Sequence, residues 1–241
     1  MTESMNKKYV LLALLAFAGS CSFAQKTVEV HKLEGAMITG VIVDDHFDIE
    51  IRQGDICGVE LSVDDRLAPY LKCELSQDGC LRLGYTKMPS LRWKGSADPD
   101  ESERKYVAAG NVDPRGGRMY RKGRATVTVN TLSNLMVKSG GHVCSRGSIM
   151  VDSCVIGLRR PKCFRLNLSA RYLDLKAEDV KGLSLNGTAD VLNVDIVNSK
   201  IVLPELNLGR VSGKIEYSTF RSVAPLTEDL ICTDSRYERI R

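Results

Sequence analysis

The chain has 241 residues, 43% of them hydrophobic and only 6% aromatic. That is enough for one extended domain or two small ones, with a core of aliphatic side chains rather than stacked rings. Its 34 basic and 30 acidic residues leave a net charge of +4, far from the strongly basic balance of nucleic-acid-binding domains, so no nucleic-acid partner is expected.

At the N-terminus, Lys7 and Lys8 precede an apolar run over 9–18 and then small residues. The run is too short to cross a bilayer and has the layout of a secretory signal. Residues 1–24 therefore read as a signal peptide, with Met5 an equally good start, and no transmembrane segment is expected after its removal. Two processing routes stay open. Ser22-Phe23-Ala24 places small residues for cleavage before Gln25, which gives a soluble product. Ala18-Gly19-Ser20-Cys21 resembles a bacterial lipobox, which makes Cys21 a candidate lipidation site. The first is favoured, because Ala18 stands where a lipobox usually carries Leu. The expected location is periplasmic, cell-surface or secreted, with an outer-membrane lipoprotein as the alternative.

From here the pattern is strand-like. Phe47, Ile49 and Ile51 alternate with Asp48, Glu50 and Arg52; Gln53-Gly54-Asp55 turns the chain; Val59, Leu61 and Val63 alternate with Glu60, Ser62 and Asp64. These are half-buried strands with one solvated face. A single helical turn is expected over 66–71, capped by Asp64 or Asp65, with Pro69 near its start. Next comes a hairpin: Gln77-Asp78-Gly79 forms a three-residue loop with Gly79 in the left-handed position. The register that follows pairs Leu75 with Leu81, Cys73 with Leu83, Leu71 with Tyr85 and Glu74 with Arg82. Cys80 then points away from Cys73, so these two do not form a disulfide. Setting Cys21 aside leaves Cys57, Cys73, Cys80, Cys144, Cys154, Cys163 and Cys232. Their number is odd and no Cys-x-x-Cys occurs, so they read as scattered small core residues, with room for one disulfide, rather than a zinc site.

Residues 89–124 differ in composition, being poor in apolar anchors and rich in Gly, Pro and charge. They read as a mobile surface insertion. Arg115, Arg118, Arg121, Lys122 and Arg124 around Tyr120 form its basic half and are candidate polyanion contacts. The last third carries short apolar beads: Leu166-x-Leu168, Leu173-x-Leu175, Leu183-x-Leu185, Leu192-x-Val194 and Leu206-x-Leu208. Their uneven spacing is wrong for a propeller or a leucine-rich repeat and suits a β-solenoid, whose coils bury their apolar faces only against neighbouring coils.

Two blocks carry a family resemblance. The first runs over 38–83, from Ile38-Thr39-Gly40-Val41 through Phe47-Asp48-Ile49-Glu50-Ile51 to Gly79-Cys80-Leu81-Arg82-Leu83. The second is Ala125-Thr126-Val127-Thr128-Val129 followed by Leu132-Ser133-Asn134-Leu135-Met136-Val137-Lys138-Ser139-Gly140-Gly141. Together they resemble the DUF2807 family, the auto-transporter adhesin head GIN domain of secreted Bacteroidetes proteins. The resemblance spans roughly 28–217. It implies an irregular right-handed parallel β-solenoid (β-helix); with the strand pattern above, the chain reads as all-β, with N-terminal β-hairpin strands and a single domain over 25–241. The chain departs from the family pattern where Asn186-Gly187-Thr188-Ala189-Asp190 and Val211-Ser212-Gly213-Lys214 stand for its Gly-Ser-Gly-Asp coil corners.

No catalytic signature is found. His31, His46 and His142 lack metal-binding spacing, and no nucleophile elbow, P-loop or dinucleotide fingerprint occurs. The pairs Asp44-Asp45 and Asp64-Asp65 sit at strand ends, where turns recruit Asp anyway. The expectation is thus a noncatalytic, exported binding, adhesion or scaffold module with no cofactor or metal, whose partner is an unknown protein or polysaccharide of the cell envelope. The alternatives are a solenoid-type carbohydrate-active enzyme and a lipid-anchored outer-membrane structural or sensor protein.

Overall fold

The computed structural model describes residues 27–64, 67–86, 123–138, 140–224 and 229–240. The signal segment with Cys21, and the insertion up to residue 122, lie outside them. The described chain is mostly strands and their connections, and its one helical element among the described residues is a 3-10 turn, Ala68–Tyr70. That turn stands where Pro69 predicts one, but its N-cap is Leu67, with no side-chain cap bond, and not an aspartate.

Four long strands, β9 (His142–Arg159), β10 (Cys163–Glu178), β11 (Ser184–Val197) and β13 (Leu206–Glu216), lie parallel in that order, followed by β15 (Leu230–Thr233). The result is a β-solenoid of about 5 turns. Past the irregularity in β9, the coils from β9 to β13 are each displaced by 19 residues from the one before, so that Cys154, Leu173, Leu192 and Val211 form one buried column and Ile156, Leu175 and Val194 another; β15 is displaced from β13 by 17 residues. The uneven bead spacing has its origin within the coil. Leu166, Leu168 and Ala170 point inward, Arg171 and Tyr172 both point out, and Leu173, Leu175 and Ala177 point inward again. Two successive outward residues shift the period-two phase by one, and the strand bends there. A third wall is formed by β12 (Lys200–Leu203), β14 (Thr219–Ser222) and β16 (Arg236–Arg239), paired in parallel.

The N-terminal half is built onto this stack. β2 (Gly40–Val43) pairs in parallel with β8 (Asn134–Val137), which rests on the second half of β9. β6 (Cys80–Tyr85) pairs with β2 on its other side and forms a hairpin with β5 (Leu71–Leu75) in the register predicted from its turn, with Gly79 at φ +79°. β3 (Phe47–Gln53) runs parallel to the first half of β9. The turn after β3 does not pair it with β4 (Gly58–Asp64): β7 (Gly123–Val129) is inserted between them, parallel to β3 and antiparallel to β4. β1 (Thr27–Lys32) closes this edge antiparallel to β4. Phe47 and Tyr85 stack at 5.1 Å. Where β9 bulges at Gly147, the side-chain amide of Gln53 replaces a backbone rung: its Oε1 accepts the Met150 amide at 2.8 Å and its Nε2 donates to the Met150 carbonyl at 3.0 Å.

The stretches that stand for the family's coil corners behave otherwise. Gly187 and Gly213 lie inside β11 and β13, at φ +114° and +115°, and each passes the coil below so closely that a Cβ would come within 2.1 Å of a backbone oxygen. The left-handed corners are elsewhere, at Arg160, Asp179, Asn198, Tyr217 and Asp234.

Candidate functional site

Of the basic residues proposed as polyanion contacts, Arg115, Arg118, Arg121 and Lys122 lie outside the described residues. Arg124 is described: it faces outward from β7, flanked in register by Asp48 and Ser62. It therefore sits beside a carboxylate. The Asp44-Asp45 pair is used in holding the coils together. Asp44 pairs with Arg82 on one neighbouring strand and with Lys138 at 3.0 Å beyond another, while Asp45 accepts the Tyr85 amide at 2.8 Å. Partial burial pushes the Asp44 carboxyl up, but its bonds to Arg82 and Lys138 outweigh this and hold it below the usual carboxylate range. Among the described residues no three His, Cys, Asp or Glu side chains are grouped to hold a metal ion, and Cys57, Cys80, Cys144, Cys154, Cys163 and Cys232 are free thiols.

The most organised polar surface is the left-handed corner, which the reading of the sequence missed. Five non-glycine residues in successive coils, Arg160, Asp179, Asn198, Tyr217 and Asp234, take φ between 47° and 56° there. Such a conformation is sterically costly for most side chains and least so for Asn and Asp. Its cost is offset by bonds that repeat from coil to coil. The amides of Arg160, Asp179, Asn198 and Tyr217 each donate to a carbonyl of the next coil. The residue after the corner is Ser199, then Ser218, then Ser235. Each hydroxyl donates to the carbonyl two residues back and accepts an amide from the preceding coil at 2.9 Å.

This inner ladder shapes a trough on the outside. Two grooves of about 630 and 480 Å³ run along the corner and share Lys181 and Asn198. One position past the serine column the side chains are Lys162, Lys181, Lys200, Thr219 and Arg236, one per coil, and all four cations are exposed. The trough lining holds five cations and two carboxylates. One of the two, Asp179, is occupied by Arg160 and Asn198, whose hydrogen bonds hold its carboxyl below the usual range. No described carboxylate pairs with Lys162, Lys181 or Lys200, whereas cations on the strands are commonly paired, as in Arg159 with Glu178 at 3.3 Å and Arg221 with Glu238 at 2.8 Å. The sequence signal for this trough was the spacing of 19 between Lys162, Lys181 and Lys200.

The model of the family described as putative auto-transporter adhesin, head GIN domain, DUF2807, matches residues 38–216. The chain belongs to this DUF2807 family. A solved structure carries the same fold. The putative adhesin of Bacteroides fragilis NCTC 9343 superposes with a TM-score of 0.61 at 14% identity, covering 89% of this chain and 96% of that one. The putative adhesin of Parabacteroides merdae ATCC 43184 is also similar, with a TM-score of 0.44 at 14% identity, covering 90% and 98%. No curated protein shows significant sequence similarity to this DUF2807 chain.

Proposed function

We propose that this DUF2807 protein is an exported, noncatalytic solenoid that acts as a binding, adhesion or scaffold module of the cell envelope. The observation that carries the reading is the corner trough: a rigid, repeating polar surface along the rod axis, its shape set by hydrogen bonds and not by side-chain chance. Stacked coils suit this role, because each repeat adds one more equivalent contact to an extended partner. The family's adhesin description supports the same reading, and export accords with the signal-like N-terminus.

The test is attachment. Beads coated with the purified protein are expected to adhere to bacterial envelope fragments, and beads coated with the heat-unfolded chain are not; equal attachment of both would remove the reading. Release of shortened or unsaturated products from a polysaccharide would show an enzyme instead. Mass spectrometry of the mature N-terminus is expected to find Gln25, following cleavage after Ala24. An acylated Cys21 would replace soluble release with a membrane anchor.

A further inference from the structure

We infer that the corner trough binds a linear anionic polysaccharide, laid along the rod axis with its acidic groups on Lys162, Lys181 and Lys200; this deepens the binding-module reading and rests on it. Four features select that ligand. Successive coils are separated by the strand spacing of about 4.8 Å, close to the advance of one sugar in an extended chain, so the lysines form a charge ladder in step with a polymer carrying an acidic group on each residue. They are unpaired with any described carboxylate, so an incoming anion displaces no ion pair. Tyr217, 64% exposed, lies on the same trough one coil beyond Asn198, and its ring offers a flat face of the kind that stacks on a pyranose. The inner wall is already ordered: Ser199, Ser218 and Ser235 spend their hydroxyls on backbone groups and the Asn198 Nδ2 is bonded to Asp179, which leaves the Asn198 Oδ1 and the hydroxyls of Thr219 and Tyr217 as the neutral polar groups facing sugar hydroxyls. A pre-shaped groove loses little conformational entropy on binding. Nucleic acid suits the trough less well, because base binding wants several stacking rings and this lining has the single ring of Tyr217.

The experiment measures binding of the purified protein at low salt to polygalacturonate, dextran sulfate, neutral dextran and phosphatidylglycerol vesicles. Polygalacturonate or dextran sulfate is expected to bind, neutral dextran is not, and added salt should weaken the complex. Preference between the two polymers reports whether the acidic group is a carboxylate or a sulfate. The triple variant Lys162→Glu, Lys181→Glu, Lys200→Glu is expected to lose at least about tenfold in affinity. The triple variant Arg165→Glu, Lys176→Glu, Arg210→Glu makes the same charge change on other faces and is expected to lose far less. Tyr217→Asn keeps a residue suited to the left-handed corner and should weaken binding about threefold, with the salt dependence unchanged. Circular dichroism establishes that each variant is folded. Equal loss in the two triple variants, binding of neither anionic polymer, or binding of the vesicles alone would each overturn the inference. Bead attachment separates this from the broader reading: if the Lys162, Lys181, Lys200 variant still adheres to envelopes as the wild type does, the module binds elsewhere and the trough is not its site.

Discussion

The hydroxyl of Ser218 accepts a hydrogen bond from the backbone amide of Ser199 at 2.9 Å, 19 residues away in sequence and one coil away in space. Both serines are 7% exposed. Removing the Ser218 hydroxyl leaves the Ser199 amide buried without its partner, which costs about 1–3 kcal/mol. Ser218→Ala is therefore expected to lower the urea midpoint by that amount of stability. Ser235→Ala, nearer the end of the stack and more open to water, is expected to cost less, since water can replace the lost acceptor. Equal effects would mean that the serine ladder does not hold the corner.

Leu185 is 1% exposed and stacks on Leu166 of the preceding coil. Leu185→Ala is expected to cost about 2–5 kcal/mol, the range for truncating a buried leucine. Lys200→Ala, on the exposed start of β12, should cost under about 0.5 kcal/mol. The difference is read in a denaturation series on the two variants.

Gly213 and Gly147 separate two reasons for glycine. A Cβ at Gly213 would sit 2.0 Å from the Val194 carbonyl oxygen, whereas at Gly147 it would meet nothing within 4 Å. Both have positive φ. Gly147→Ala is expected to cost about 1 kcal/mol, the conformational penalty alone. Gly213→Ala adds a clash with the backbone of the neighbouring coil and should cost at least about 2 kcal/mol. Thermal unfolding of the two variants distinguishes these outcomes.

The lowered pKa of Asp44 makes its contribution depend on pH. A carboxyl whose folded pKa lies below the unfolded value of about 3.9 stabilises the fold above that pH and loses the contribution as pH falls through the folded pKa. Asp44→Asn should thus be less stable than wild type at pH 7, with the gap closing at pH 3 and below. A gap that stayed constant with pH would mean that the ion pairs with Arg82 and Lys138 are not its source.

Thiol accessibility tests the packing of the stack. Burial pushes the Cys154 thiol up to about 12, and the residue is fully buried in the column it shares with Leu173. At pH 8 an alkylating reagent is expected to label exposed Cys232 and Cys144 and to reach Cys154 only after denaturation. Cys144 should react slowly for an exposed thiol, because partial burial and the nearby Glu50 carboxylate raise it as well. Mass spectrometry of peptides after timed labelling gives the order.

What the sequence by itself determined is local. The Gln77-Asp78-Gly79 loop and the alternation on either side specified the hairpin down to Cys73 opposite Leu83, because turn geometry and a two-residue period leave only one register that buries Leu75, Leu81 and Leu83 together. The inward faces of Phe47, Ile49 and Ile51 and the buried Leu-x-Leu beads follow from the same period, and 3-10 structure at Pro69 from its ring. The tertiary structure decided which strands meet. A turn at Gln53-Gly54-Asp55 says that the chain reverses, yet the neighbour of β3 is β7, some seventy residues later, because rung partners are selected by burying whole apolar faces against the stack. The corner trough was invisible for the same reason. Arg160 and Tyr217 have no intrinsic preference for a left-handed backbone; they adopt it because the next coil supplies the hydrogen bonds that offset its cost. Three lysines 19 residues apart become one surface only because the coils that carry them advance by that same length.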